Sequence, residues 1–386
     1  MFELTKEQKE KKRLGADFAK KLFQSEPIKT RSGSMSWSAD TFSYLWRKFS
    51  EFGIFLLPIP RKYGGLEENI LDIIALMEGI GSESPNTGIL FSLNVHLWAC
   101  EVPILYFGTE TQKTGLLPKM MSGETIGAHA ISEPEAGSDA WNLETTYQKT
   151  NEGYLLNGTK NFVTNGPVAD IFLIYARDQA DQAEKSLKKI AGFIVKKNTE
   201  GFTIGKPMEK MGLQDSPLSA VYLNDCLVPG ENLLGQIGQG TNIFNLTMEY
   251  ERTFLFSFQI GFMEKQLKDC IRYAKTREQF KNKIIQYQSI SNRLADMKVR
   301  LEISRLLMYK IAHEKMKQKN VYLDSSIAKL YISESLVQNS MNAMEIYGGY
   351  GYMKEYGIEE QLRDAIASKF YSGTSDIQRN IIAGFL

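Results

Sequence analysis

Apolar and polar positions follow three regimes along the chain. Residues 1–123 carry helical spacing. Thr5 and Gln8 form a capping box ahead of the first helix, and Leu14, Phe18 and Leu22 then recur every fourth residue as one apolar stripe. Segment 30–38 (TRSGSMSWS) reads as a polar loop. A helix over 39–52 stops at Gly53, which suits a left-handed cap. Helices follow over 69–82, 87–107 and 110–121, punctuated by Pro85, Gly108 and Gly123. From 124 to 240 short apolar runs alternate with turn residues: TIGAHAIS, YLLNG, DIFLIYA, AGFIV and SAVYLND read as strands. Segment 178–189 is charged and reads as a solvated loop. From 241 long helical patterns return over 242–275, 285–317, 323–347 and 361–383, lengths that pack as an antiparallel bundle. The chain is therefore mainly α with a β middle domain, divided as 1–123, 124–240 and 241–386. Within 242–275 Phe244, Leu246, Met248, Phe254, Leu255, Phe256 and Phe258 leave little polar face, so a subunit interface is expected there. The plainer reading is a core helix of one large domain.

Composition narrows the function classes. The 386 residues have room for two to three domains of about 150 residues each. With 43% apolar and 24% charged residues the chain is globular rather than disordered. Lys and Arg number 46 against 45 Asp and Glu, so there is no large basic field and nucleic acid is not the expected partner. No uninterrupted apolar run reaches about 18 residues, so no membrane span is expected. Residues 2–22 mix acids and bases, unlike a secretory or transit segment. Cys100, Cys226 and Cys270 are odd in number and far apart, and His96, His129 and His313 are scattered. Neither a disulfide framework nor a metal site is expected, and the expected setting is reducing and cytoplasmic.

Candidate chemistry lies in five blocks. Segment 130–139 (AISEPEAGSD) has small residues that allow close backbone approach, and consecutive N–H groups there can form an anion-binding nest. Its plain reading is a surface turn. Segment 160–166 (KNFVTNG) offers Phe162 and Thr164 after a strand. Arg277 and Phe280 (REQF) follow a long helix, and EIYGGYG (345–351) holds three glycines. Segment 363–379 ends the chain with a helix, a sharp G-T turn and another helix, which Thr374 can cap.

These blocks, in this order, resemble the acyl-CoA dehydrogenase family. LLPIPRKYGG (56–65) and the stretch from GTETQK to LLPKMMSGE (108–124) extend the resemblance over essentially the whole chain. It implies a helical amino-terminal domain, a barrel-like β middle domain and a carboxy-terminal four-helix domain. It also implies FAD, bound between the last two domains and across a subunit interface in a homotetramer. By the same resemblance Ile131 and Ser132 face the flavin ring, Gly137 and Ser138 lie near phosphates and substrate, and Phe162 and Thr164 contact the ring. Arg277, Phe280 and Gln288 come from the neighbouring subunit. Glu345, Gly348 and Gly349 reach the adenine half, and Thr374, Ser375 and Asp376 the phosphates. Arg252 and Gly373 join Ser138 on the substrate side. The chain departs from the common pattern at Phe162 (usually tryptophan), His129 (often an aromatic), Glu345 (usually glutamine) and Glu360 (usually basic).

The reaction the family implies removes a proton alpha to a thioester and passes the beta hydride to the flavin, so it needs a placed carboxylate in a dry site. Many members carry that base in a Y-E-G-T motif. Here the motif is Y-S-G-T with Ser372, too weak a base alone. Glu251 in MEYER (248–252) matches the branch, isovaleryl-type enzymes included, whose base precedes an arginine on the helix after the middle domain. Glu249, two residues away, points to another helix face. The alternative for Glu251 is an ion pair on a solvated face. That branch includes dehydrogenases of branched acyl-CoA esters and of prolyl groups on carrier proteins.

Three functions therefore stand: dehydrogenation of a short or branched acyl-CoA, the same chemistry on an acyl- or aminoacyl-carrier protein, and a flavin-binding homologue without dehydrogenation. Bulky Tyr250, Phe254 and Tyr371 point to a compact acyl group. Electrons would leave to an electron-transfer flavoprotein or to oxygen.

Overall fold

The computed structural model describes residues 3–25, 38–85, 87–181 and 186–386. Most of the 30–38 loop, and residues 182–185 of the charged segment, lie outside them. Helix α1 (Lys6–Phe23) starts at Thr5, whose hydroxyl accepts from Gln8 N while the Gln8 side chain accepts from Thr5 N. Its buried face is Gln8, Gly15, Ala19 and Leu22; Leu14 is 51% exposed, so the every-fourth-residue stripe is displaced by one position at its start. The reason is backbone proximity. A Cβ on Gly15 would lie 2.2 Å from Leu76 O on α3 (Ile70–Gly81), and one on Gly79 1.9 Å from Lys12 O, so only small residues fit the crossing.

Helix α2 (Ala39–Phe52) ends at Gly53, whose φ of 87° is the expected left-handed cap. Helix α4 (Gly88–His96) runs through a π turn (Leu97–Glu101) into α5 (Val102–Phe107), and α6 (Glu110–Met121) closes the region. The stretch Gly88–Phe107 is long and apolar enough to cross a membrane, but 94% of its most apolar window is buried inside the chain, so it reads as a core helix. His96 ties it to the sheet: Gly127 N donates to Nδ1, which turns Nε2 toward Glu101.

The middle region is one eight-stranded mixed sheet: β1 (Gly127–Ala130), β2 (Thr146–Lys149), β3 (Gly153–Thr164), β4 (Ile171–Asp178), β5 (Ile190–Lys196), β6 (Phe202–Ile204), β7 (Leu218–Pro229) and β8 (Leu233–Leu234). The order is β6-β7-β3-β2-β4-β5-β8, with β1 parallel to β4 in the register Gly127 to Ile171. Strand β4 is buried on both faces. Phe172, Ile174 and Ala176 pack into one core, while Ile171, Leu173 and Tyr175 pack into another shared with α6 and with Ile243, Phe244 and Met248. The charged segment beyond β4 is not simply solvated, because Asp181 is buried and pairs with Arg177 at 3.2 Å.

The pattern over 242–275 is two helices, α7 (Gly240–Glu251) and α8 (Ser257–Thr276), broken by a turn at 252–256. Hairpin strands β9 (Glu278–Gln279) and β10 (Asn282–Lys283) lead to α9 (Gln288–Met316) and α10 (Tyr322–Tyr347). Helices α11 (Ile358–Ala367) and α12 (Ser375–Ala383) end the chain. The crowded apolar run is buried within the single chain: Phe254, Leu255, Phe256 and Phe258 are each fully covered. The subunit-interface expectation for it gives way to the core-helix reading. The two helical regions share one hydrophobic core that runs from Ala19 and Phe49 to Phe258, Met308 and Ile332.

An ionic cluster crosses that core. Glu78 on α3 accepts from Lys12, from Arg305 and from the Tyr309 hydroxyl at 2.7–2.9 Å, and Glu264 on α8 accepts from Lys12, Arg305 and Lys268. Burial works against the Glu264 charge, but Lys12 and Lys268 outweigh it and bring the carboxyl down to about 2. A depressed carboxyl contributes stability that is fully present above its ordinary value of 4.5 and is lost as pH falls toward about 2. Glu264→Gln should therefore cost about 1–3 kcal/mol in denaturant unfolding at neutral pH, with the difference from the native chain shrinking in acid.

Candidate active site

Glu251 ends α7 and is 6% exposed. Ser372 Oγ donates to its Oε2 at 3.2 Å. Ser372 lies in the turn between α11 and α12 at a φ of 54°, followed by Gly373 at 91°, so the left-handed pair needs a tether. Three bonds supply it: Arg252 Nε donates to Ser372 O at 3.3 Å, and Gln378 Nε2 donates to Ser372 O and Gly373 O at 3.1 Å. Thr374 caps α12 by accepting from Ile377 N, as its position in the sequence requires. Burial pushes the Glu251 carboxyl up to about 7, against the Ser372 hydrogen bond and the Arg252 charge. Glu249 faces elsewhere and pairs with Lys315. The solvated-face alternative for Glu251 is excluded by its burial.

Of the bulky residues expected near the base, Tyr371 stands beside the turn, in contact with Phe91 (4.5 Å) and Phe256 (5.8 Å). Tyr250 turns instead toward Trp98 and the Tyr106 hydroxyl, and Phe254 is core.

A second group lies on the sheet. Asn161 N donates to Ser132 O at 2.7 Å and Lys160 Nζ to Ile131 O at 3.3 Å, so Ile131, Ser132 and Phe162 come together. Phe162 sits in a register shift between Lys160 and Val163, at a φ of 55°, and is 63% exposed; Thr164 is nearly covered. The pair beneath them was not legible in the sequence. Lys160 and Glu133 are both buried and meet at 2.6 Å, and Glu133 also accepts from the backbone of Glu144 and Thr145. Burial lowers the Lys160 pKa against the pull of Glu133. Glu133 loses charge stability to burial but regains more from Lys160 and these N–H donors, which hold its carboxyl below the ordinary range. The pair braces the 131–138 loop, whose Gly137 and Ser138 are exposed. The two groups are joined through His129, whose Nε2 meets the Tyr175 hydroxyl at 3.2 Å, and through the Tyr175 ring, which packs on Phe244 of α7 at 6.0 Å. Burial, then the Lys160 charge, push the His129 imidazole down to about 3, so it is neutral.

A third group forms a cavity of about 650 Å³ lined by Arg277, Phe280, Tyr287, Tyr347, Gly348 and Gly349, among others. Arg277 lies over the Tyr350 ring at 5.2 Å, and the hairpin presents Phe280 88% exposed. Gln288 begins α9 beside it, exposed. Glu345 does not line the cavity, because Arg293 holds it; Ser375 is buried, and the exposed Asp376 bonds Arg379. Glu360 lies apart, half-buried near Asp364 and Asp215.

FAD fits these residues. A Cβ added to Gly137, Gly348 or Gly349 would meet nothing within 4 Å, so the backbone is open to close approach at both the loop and the cavity. A buried carboxylate, a braced loop and a nucleotide-sized cavity are the parts of a cofactor-dependent dehydrogenase of the helical–sheet–helical type. The chain matches the acyl-CoA dehydrogenase N-terminal domain over 5–124, middle domain over 128–226 and C-terminal domain over 238–386. It belongs to the acyl-CoA dehydrogenase family. It is 40% identical to an L-prolyl-[peptidyl-carrier protein] dehydrogenase of Pseudomonas fluorescens, covering 88% of both chains. It is 38% identical to an acyl-CoA dehydrogenase of Bacillus subtilis, covering 99% of this chain and 98% of that one. The solved structure of PigA with FAD and proline superposes with a TM-score of 0.94 at 34% identity, covering 100% of this chain and 98% of that one.

Lys160→Met should leave Glu133 buried and unpaired, costing about 3–5 kcal/mol and lowering the flavin content of the purified protein. The Glu251 pKa near 7 sets a second expectation: the rate of flavin reduction by substrate should fall below neutrality, its Glu251 component approaching about tenfold per pH unit, and level off above it.

Proposed function

We propose that this chain dehydrogenates acyl thioesters with FAD, Glu251 taking the α-proton. The observation that carries the reading is a buried carboxylate with a raised pKa, held by the Ser372 hydroxyl at the turn where many relatives carry a glutamate. FAD, when bound, supplies the acceptor for the hydride that leaves the β-carbon. Ionised Glu251 receives the proton on its carboxylate. Ser372 donates to one oxygen, fixes the rotamer and leaves the other oxygen for the substrate. Phe91, Phe256 and Tyr371 form an aromatic cluster beside the Ser372 turn, an apolar surrounding that suits a compact acyl chain. Ser138, Arg252 and Gly373 belong on the substrate side, Arg252 through its hold on the Ser372 carbonyl.

The lead substrate is a short or branched acyl-CoA. A carrier-protein thioester is the second reading. It is favoured by the likeness to the prolyl-carrier-protein dehydrogenase and by the stretch 232–248 leading into Glu251, which holds no charged residue to meet the CoA phosphates. The reading extends to a homo-oligomer, a tetramer by family likeness, in a reducing cytoplasmic setting. Its support is the bare Phe280, the exposed Val299, Ile303 and Leu306 on one face of α9, and three free, buried cysteines. The acceptor that reoxidises the flavin is an electron-transfer flavoprotein or oxygen.

The test is anaerobic bleaching of the yellow protein by a panel of short and branched acyl-CoA esters and by acyl- and prolyl-carrier proteins. Glu251→Gln should retain the flavin and lose reduction by about a thousandfold or more. Reduction at the native rate in that variant would remove Glu251 as the base. Bleaching by carrier-bound thioesters alone would move the substrate to the second reading, and bleaching by none would leave a binding homologue.

A further inference from the structure

Lys329 lies within α10, wholly buried, and its Nζ has no hydrogen-bond partner among the described residues. An ammonium in such a place costs several kcal/mol unless something compensates it. The charges acting on it come from its own helix and two other elements. Arg252, in the turn after α7, and Lys369, after α11, oppose its charge, while Glu334, on α10 itself, favours it. Glu334 is already engaged by Lys369 at 3.0 Å and by Arg379 of α12 at 3.8 Å.

Arg252 is in a matching position. It is 4% exposed, its guanidinium lies over the Tyr322 ring at 5.1 Å, and its Nε is spent on the Ser372 carbonyl. Its Nη1 is buried with no partner. Two buried cations acting on one another, each with an unused donor, cannot both keep their charge without a large cost. A guanidinium does not deprotonate in proteins, so the lysine is the group that yields. A neutral amine has a lone pair, and a lone pair is the acceptor that Arg252 Nη1 lacks.

We infer that Lys329 works as a neutral amine accepting from Arg252, and is thereby a positioning residue for Glu251, acting through Arg252 and the Ser372–Gly373 turn. The inference rests on Glu251 being the base. Burial, then the Arg252 charge, bring the Lys329 amine down to about 7, which agrees with the geometry. A proton on Lys329 turns the acceptor into a donor facing donors. Arg252 then loses its third anchor, and the left-handed turn that aims the Ser372 hydroxyl at Glu251 loosens.

Three variants of the FAD-loaded protein test this by anaerobic flavin reduction between about pH 6 and about pH 9. Lys329→Gln supplies an uncharged acceptor, Lys329→Met fills the space with none, and Lys329→Arg keeps a permanent charge. The native protein should lose rate in acid more steeply than one proton allows. Lys329→Gln should keep most of the alkaline rate with a one-proton acid limb, while the Met and Arg variants fall roughly tenfold or more at every pH. A packing role gives the opposite order, with Met tolerated better than Gln, and that result overturns the inference. So does a one-proton limb in the native protein that Lys329→Gln leaves unchanged. Melting of the same proteins gives a readout independent of catalysis. The unfolded chain holds the lysine proton up to about pH 10.5 and the folded chain releases it near 7, so native stability relative to Lys329→Gln should rise over that window. A flat difference counts against the neutral amine. Failure of the base reading appears in Glu251→Gln, whereas failure of this inference appears in the Lys329 variants with Glu251 intact.

Discussion

A carboxylate that takes a proton from carbon has to be dry, and drying a carboxylate opposes its charge. Glu251 sits at that balance, with burial pulling its pKa upward and the Ser372 hydroxyl and Arg252 pulling it back. Each element around it serves one side. Helix α7 ends at Glu251, so the side chain leaves the helix into the space beside the α11–α12 turn. That turn holds a strained left-handed pair against it through Arg252 and Gln378. A glutamate at position 372 would carry its charge on the turn itself; a serine there can only orient a carboxylate that comes from another helix.

The remainder of the fold makes this placement rigid. The amino-terminal and carboxy-terminal helices share a core, and close glycine crossings at Gly15, Gly79 and Gly261 draw α1, α3 and α8 together. Glu78 and Glu264 sit where these helices meet α9, each collecting cations from two elements. The sheet links the 131–138 loop to α7 through His129 and Tyr175, whose ring packs on Phe244, and fixes the loop from below with Lys160 and Glu133. Two ionic devices thus stiffen the fold, one locking helices and one locking a loop.

Much of this was legible from residues whose effect is local. The capping box at Thr5 and Gln8, the left-handed Gly53, the cap at Thr374 and the strand runs over 171–178 and 190–196 appear where spacing put them. The candidate for the base was legible too, since Ser372 closed one position and Glu251 preceded an arginine. Other expectations failed for a tertiary reason. Leu14 faces solvent because α1 approaches α3 through glycine and alanine. The aromatic run at 254–258 serves the chain's own core because helices distant in sequence close over it. The Arg293 partner of Glu345, 52 positions away, has no signal in the sequence.

By itself the sequence determined the succession of helices and strands, the caps and turns that end them, and which carboxylate to propose as the base, because these depend on neighbours a few positions apart or on one residue type at one place. Tertiary structure alone decided which charges are buried, which are paired and which are left without a partner. Lys160 and Lys329 are both lysines within regular elements, yet one meets Glu133 and the other is buried with no hydrogen-bond partner among the described residues. Electrostatic energy depends on distance and solvent exclusion in three dimensions, and neither quantity is written in the spacing of residues along a chain.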